Sequence, residues 1–382
     1  MAKTSPGPEY PTHLIPPFRD DVFSFGTVYA AAMRLFTAGI VTVVVVLLGL
    51  FGLASQMASR TPKAVDESER PLTGSPNDLF FTDDQLAIAR NQLQGSFIGV
   101  VPCTLTTAYH ASLARAVITR ANALGLQTRV IDSENDRSLQ PAIVDRFVVE
   151  GAKAIFVCPL DFSSLMPSLQ AAQEAGVKVM TTGDVPLGKG TVVLSITNER
   201  MGSAIGEYAA KYINENLGGK AQVMVLDYPP VPFTVDRAQA MEKALLAAAP
   251  GATIVGRWIG GLSANGEKSM QEALQDFPDI NVILSINDAG AFGAVKALQA
   301  AGKQPVDVAI FSVDAEPEAK RMIRDNEYFV ASFDNDPVYA GTLAIDAAVK
   351  MLGGGITPQQ VLLPGQVYTK EVAAQETPIA TP

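Results

Sequence analysis

The chain has few of the side chains that carry most metal and acid–base chemistry. Its 382 residues include two His, two Cys and one Trp, and aromatics make up only 7%. His13 sits in a proline-rich N-terminal stretch, so a Ser-His-Asp triad would have to be built around His110. The nearby Ser112 does not share a helical face with His110. Cys103 and Cys158 are far apart in sequence, and no cluster with metal-ligand spacing surrounds either. Gly-x-Ser-x-Gly, a Gly-Lys-Ser/Thr phosphate loop and His-Glu-x-x-His are all missing. The glycine run at 353–355 follows a helical pattern and reads as a helix end, not as a phosphate cradle. No catalytic residue, cofactor or metal is therefore expected. Basic charge is also short: the net charge is −10. An acidic surface repels phosphate backbones, which argues against nucleic acid as a partner.

One long hydrophobic run is present. Arg34 and Arg60 bracket 25 uncharged residues, and Leu35 to Ala54 reads LFTAGIVTVVVVLLGLFGLA. About 20 apolar residues span a bilayer core as a helix. The run is longer than the usual core of a signal peptide, and the polar segment before it is long for one, so an uncleaved anchor is expected over a cleaved leader. Lys3, Arg19 and Arg34 precede it, and Arg60, Lys63 and Arg70 follow, so charge barely sets its orientation. The expected layout is a tail at 1–34, a transmembrane anchor at 35–57 and a tether at 58–95. Pro62, Pro71, Gly74 and Pro76 suggest flexibility in the tether, and a short helix is expected over Asp83 to Leu93.

From Ser96 onward, β-rich runs alternate with helical stretches. FIGVV (97–101), TRVID (128–132), AIFVC (154–158) and VKVMTT (177–182) are separated by helical patterns. A second series follows, with AQVMVLDY (221–228), TIVGRW (253–258), NVILSIND (281–288), VAIFSVD (308–314) and FVASFDN (329–335). These runs lack strict alternation, as strands covered on both faces do. Repeated β-α-β order implies α/β architecture with parallel sheets. So long a stretch exceeds one comfortable core and points to two doubly wound lobes.

The segments IGVVPCTLTTAYHASLARAV, VIDSENDRSLQ, FVCPLDFSSLMPSLQAAQEAGVKVMTT, ILSINDAGAFGAVKALQAAGK and AIFSVDAEPEAKRMIRD resemble the ribose- and galactose-type periplasmic sugar-binding proteins. The resemblance runs from about Phe97 to Lys370 and rests on the order and spacing of the segments together. Lactose-repressor-like regulators share the fold, but they begin with a helix-turn-helix that this chain lacks. The resemblance implies a solute-binding domain at 96–372 whose two lobes are joined by a hinge. Lobe one would comprise about 96–198 and 336–364, and lobe two about 199–335 and 365–372, with a tail at 373–382. It also places the large domain outside the cytoplasm, on a single-pass anchor in the cell membrane.

The resemblance implies ligand contacts at Asn287, Asp314 and Asn335, each ending a strand. Such groups suit vicinal hydroxyls, which both donate and accept. Helix capping is the alternative use of these residues, and it is the expected one for Asp288. Tyr109 and His110 stand where the family carries two aromatics, and Thr107 is a nearby polar position. The family often has Asp-Arg in the region where this chain reads Gly183-Asp184, which makes Asp184 a displaced equivalent and leaves the Arg missing. The family's other clamp Arg aligns with Val235, and Arg237 reads as structural. These departures argue against ribose itself. Trp258 offers a stacking surface or a packing one. In the implied order Cys103 and Cys158 end neighbouring strands, where a disulfide fits, although two separate buried thiols are the expectation. The overall reading is a non-enzymatic receptor that closes on a small polar ligand, a sugar or polyol. Its partner is either an ABC importer permease or a membrane signalling protein that reads the closed state.

Overall fold

The computed structural model describes residues 71–183 and 190–376, all within one compact unit. The expected span at 35–57 lies outside the described residues. Among those described, no helix is long and apolar enough to cross a membrane.

Lobe one is built from β1 (Thr73–Gly74), α1 (Asp83–Gln92), β2 (Ile98–Val101), α2 (Ala108–Ala123), β3 (Thr128–Val130), α3 (Leu139–Val149), β4 (Ala154–Val157), α4 (Phe162–Glu174), β5 (Lys178–Thr182) and β6 (Thr191–Ser195). Lobe two holds α5 (Asn198–Asn216), β7 (Ala221–Asp227), α6 (Pro232–Ala248), β8 (Ala252–Ile259), α7 (Ser263–Asp276), β9 (Val282–Ser285), α8 (Asp288–Ala300), β10 (Ala309–Val313), α9 (Pro317–Asp325) and β11 (Phe329–Asp334). The chain then returns to lobe one with α10 (Pro337–Leu352) and β12 (Gln360–Leu362). It ends on lobe two with β13 (Gln366–Tyr368) and α11 (Lys370–Ala373). Three passages therefore cross between the lobes.

The first sheet has the order β3-β2-β4-β5-β6-β12-β1, and every pairing in it is parallel. The second has the order β8-β7-β9-β10-β11-β13 and is parallel except where β13 runs antiparallel to β11. In each sheet the chain direction reverses beside the first strand, between β2 and β4 or between β7 and β9. Ligand crevices of open α/β sheets form at such switch points.

The missing alternation follows from helices covering both faces of each sheet. Ile98, Val100, Phe156 and Met180 pack on one side against Leu113, Val117 and the α10 residues Leu343 to Leu352. Ile155, Val157 and Val179 pack on the other against Phe147, Leu165 and Leu169. In the second sheet, Val225, Leu284 and Phe311 face α5 and α6. Leu226, Ile283 and Ile310 face α7, α8 and α9. Each fully buried Leu, Ile or Phe contributes about 1.5–3 kcal/mol over its exposed state.

The segment expected as a tether joins lobe one from residue 71 onward. Thr73 and Gly74 pair with Gln360 and Val361, and Leu79 and Ala89 are fully buried. Thr82 caps α1 in a reciprocal box with Gln85, and Gln92 Nε2 donates to Leu352 O at 2.8 Å. A few apolar residues spaced through a polar stretch suffice to dock it, because lobe one supplies the complementary groove.

Candidate ligand-binding cleft

Between the lobes lies a cavity of about 270 Å³, lined from the carboxyl ends of strands in both sheets. Tyr109, His110, Thr107, Asn287, Asp314 and Asn335 all line it. Trp258 does not. It sits on β8, paired with Leu226 of β7, and packs edge-on against Phe277 at 6.0 Å between ring centroids. Strand parity turns it to the α7 face of the sheet, so it belongs to the core of lobe two. Asp184 lies outside the described residues.

Asp314 follows β10 with φ 111°, and Ala315 continues at φ 44°. Backbone in these regions costs on the order of 1–3 kcal/mol per residue and tends to occur where geometry serves a site. The turn is held by Ala315 N, which donates to Ser332 Oγ at 2.9 Å, and by Asp314 N, which donates to Phe333 O at 2.9 Å. Asn335 Nδ2 donates to Asp314 Oδ1 at 3.1 Å. Both side chains are 7% exposed, and Asn335 Oδ1 has no hydrogen-bond partner among the described residues. A buried acceptor left unpaired costs free energy until something donates to it.

Burial pushes the Asp314 carboxyl well above the usual range. Arg237 opposes that shift, and Asp288 and Glu316 add to it. The Asp288 carboxyl is raised to about 7 by burial, against hydrogen bonds from Ser312, Glu316 N and Ser332. Asp288 thus braces the turn behind Asp314, in keeping with its expected structural role. Arg237 also lines the cavity. Its Nε donates to Asn198 Oδ1 at 2.9 Å and its Nη1 to Ile286 O at 2.6 Å, so the residue read as structural both holds lobe two together and faces the cleft.

Asn287 caps α8 by accepting from Gly290 N at 3.1 Å, and its Nδ2 donates to Gly261 O at 2.9 Å. α7 and α8 meet backbone to backbone here: a Cβ on Gly266 would collide with Gly290 O. Capping and cavity lining are therefore combined in Asn287. Across the cleft, Thr107 caps α2 and its Oγ1 lies 2.7 Å from His110 Nδ1. Burial lowers the His110 pKa to about 4, with Arg237 adding to the effect. The ring is therefore neutral near pH 7. Burial and the nearby Asp314 raise the Tyr109 phenol.

Cys103 and Cys158 form a disulfide with Cα atoms 5.2 Å apart. This corrects the expectation of two separate thiols. β2 and β4 pair in register through Val101 and Val157, which brings the following residues within bridging distance. Ligand-type atoms of Cys103, His110 and Cys158 lie within 4.8 Å of one another. A disulfide offers no thiolates, so the set has metal-binding chemistry only as a dithiol.

Two polar contacts invisible in the sequence span the cleft. Asn135 Nδ2 donates to the Tyr228 hydroxyl at 2.9 Å. Glu316, 6% exposed, accepts from Tyr109 N at 2.9 Å, placing a lobe-two carboxylate at the N-terminus of a lobe-one helix, where the helix dipole favours it.

Two α/β lobes, three crossing passages and a cleft lined from both lobes define the architecture of a two-lobed solute-binding protein. The periplasmic binding protein domain family matches residues 98–356, and the chain belongs to that family. It is 26% identical over 275 residues to the ribose import binding protein of Bacillus subtilis, covering 72% of this chain and 87% of the relative. Among solved structures, a Caulobacter myo-inositol binding protein bound to myo-inositol is 25% identical with TM-score 0.67, covering 74% of this chain and 96% of that one. An ABC transporter solute-binding protein from Mycobacterium smegmatis with bound glycerol is 29% identical with TM-score 0.64, covering 73% and 96%. These relatives are binding proteins, not enzymes.

Proposed function

We propose that this chain is the extracytoplasmic receptor of an ABC importer. It binds a neutral sugar or polyol between its lobes and is held at the membrane by a helix over 35–57. The observation that carries this reading is the pair of buried acceptor residues Asp314 and Asn335, both lining the cleft between the lobes, with Asn335 Oδ1 buried and without a partner among the described residues. Sugar hydroxyls supply the donors that such acceptors require. The hydrogen bonds that cross the cleft support closure as the working motion, because a closed form bound to ligand makes contacts the open form lacks. The 25 uncharged residues between Arg34 and Arg60 support the anchor.

Calorimetry against pentoses, hexoses and inositols is expected to give micromolar or tighter binding for at least one of them. Heat with another solute class and none with any sugar or polyol would sink the assignment. Glu316 does not line the cavity, yet Glu316→Ala is expected to weaken binding by about 1–2 kcal/mol, the scale of a lost charged hydrogen bond. Small-angle scattering should show a more open unliganded form of that variant. Unchanged affinity and an unchanged scattering profile would show that Glu316 has no part in closure.

A further inference from the structure

The lining of the cleft is uneven in chemistry. Asp314, Asn335, Asn287 and Arg237 make one part of it polar. Another part contains the Cys103–Cys158 disulfide, Leu160 and Val231, which form one apolar cluster with Tyr228 and Phe233 packed against it. All of these residues line the cavity. Cys103, Cys158, Leu160 and Val231 are 2%, 5%, 3% and 7% exposed, and both lobes contribute to the cluster.

Several polar groups beside the cluster are engaged, while His110, within 4.8 Å of both sulfurs, also lines the cavity and the Tyr228 hydroxyl keeps a proton to donate. The Tyr228 hydroxyl accepts from Asn135. Thr234 Oγ1 donates to the carbonyls of Tyr228 and Val231, each at 2.8 Å. Cys158 O accepts from Gln140 Nε2 at 2.7 Å, and Leu160 N donates to Gln140 Oε1 at 2.8 Å. Cys103 O accepts from Asn135 N at 2.8 Å. A ligand hydroxyl set against the side chains of Cys103, Cys158, Leu160 and Val231 would lose its water and gain no equivalent partner from them, which is unfavourable. A methyl or alkyl group there would gain dispersion contacts and leave water.

We propose that the cleft selects a sugar carrying an apolar substituent, of the deoxy or alkyl type, in addition to the hydroxyls that meet Asp314 and Asn335, in preference to the fully hydroxylated parent. The proposal rests on the sugar-binding reading above and concerns only which sugars are preferred.

The test is calorimetry on matched pairs: 5-deoxy-D-ribose with D-ribose, L-fucose with L-galactose, and 6-deoxy-D-glucose with D-glucose. In at least one pair the deoxy member is expected to bind about 10-fold or more tightly, the scale of one well-placed apolar group. Phe233→Gln, at a half-buried position on α6, introduces an amide at the apolar part of the lining and is expected to pull that ratio towards unity. Equal or tighter binding of the hydroxylated member in every pair that binds would overturn the preference. So would a ratio unmoved by Phe233→Gln. If no member of any pair binds while another sugar or polyol does, the preference is overturned and the sugar reading stands; if no sugar or polyol binds, the sugar reading itself fails.

Discussion

Asp314→Asn is expected to weaken sugar binding by about 1–3 kcal/mol, roughly 5- to 150-fold, without lowering the stability of the unliganded protein at neutral pH. The substitution keeps shape and hydrogen-bonding capacity but removes the charge that makes this acceptor strong. Stability follows a separate rule. Burial raises the Asp314 pKa in the folded protein. Its contribution is therefore fully present below the unfolded value near 3.8 and is lost as pH rises through the folded value. An amide carries no such dependence, so the variant gains on the wild type as pH rises above about 4. Ligand hydroxyls that donate to Asp314 favour its charged form. Binding by the wild type should then release protons, and affinity should rise with pH. Calorimetry in two buffers of different ionisation enthalpy measures the release, and thermal melts of both proteins over the same pH range measure stability. Proton uptake on binding, or a variant that binds as well as the wild type, would contradict this account.

How much of this was legible in the sequence follows from the range of the interactions involved. The parallel α/β order was readable because strands such as Ile98–Val101 are buried at every position and show it as unbroken apolar runs. Asn287, Asp314 and Asn335 were named through the family resemblance, and all three line the cavity because parallel strands deliver their carboxyl-terminal residues to one edge. Trp258 misled because a strand end offers two faces, and only the register with Leu226 decides between them. The docking of residues 71–95 was hidden because β1 is two residues long and its partner lies near Gln360. Glu316 was hidden for the same reason: it meets Tyr109 across 207 positions, and no local pattern encodes a contact between lobes.

The disulfide carries the second large expected effect. Reducing it is expected to destabilise lobe one by about 2–4 kcal/mol, because the bond closes a loop with a sequence separation of 55 and restricts the unfolded chain accordingly. An exposed ion pair such as Arg129–Glu150 contributes only about 0–1 kcal/mol by comparison. Such a bond persists outside the cytoplasm and is rare within it, in keeping with the proposed extracytoplasmic setting. The effect should reach the cleft, since Val231 and Phe233 of lobe two pack against the two cysteines. Loss of the crosslink loosens the platform on which lobe two closes, so affinity should fall along with stability. Melts of the oxidised and reduced protein, and of the Cys103→Ala/Cys158→Ala pair, measure the first effect, and calorimetry on the same samples measures the second. An unchanged midpoint on reduction would mean that lobe one does not depend on the crosslink. A lowered midpoint with unchanged affinity would confine its role to lobe one and detach it from closure.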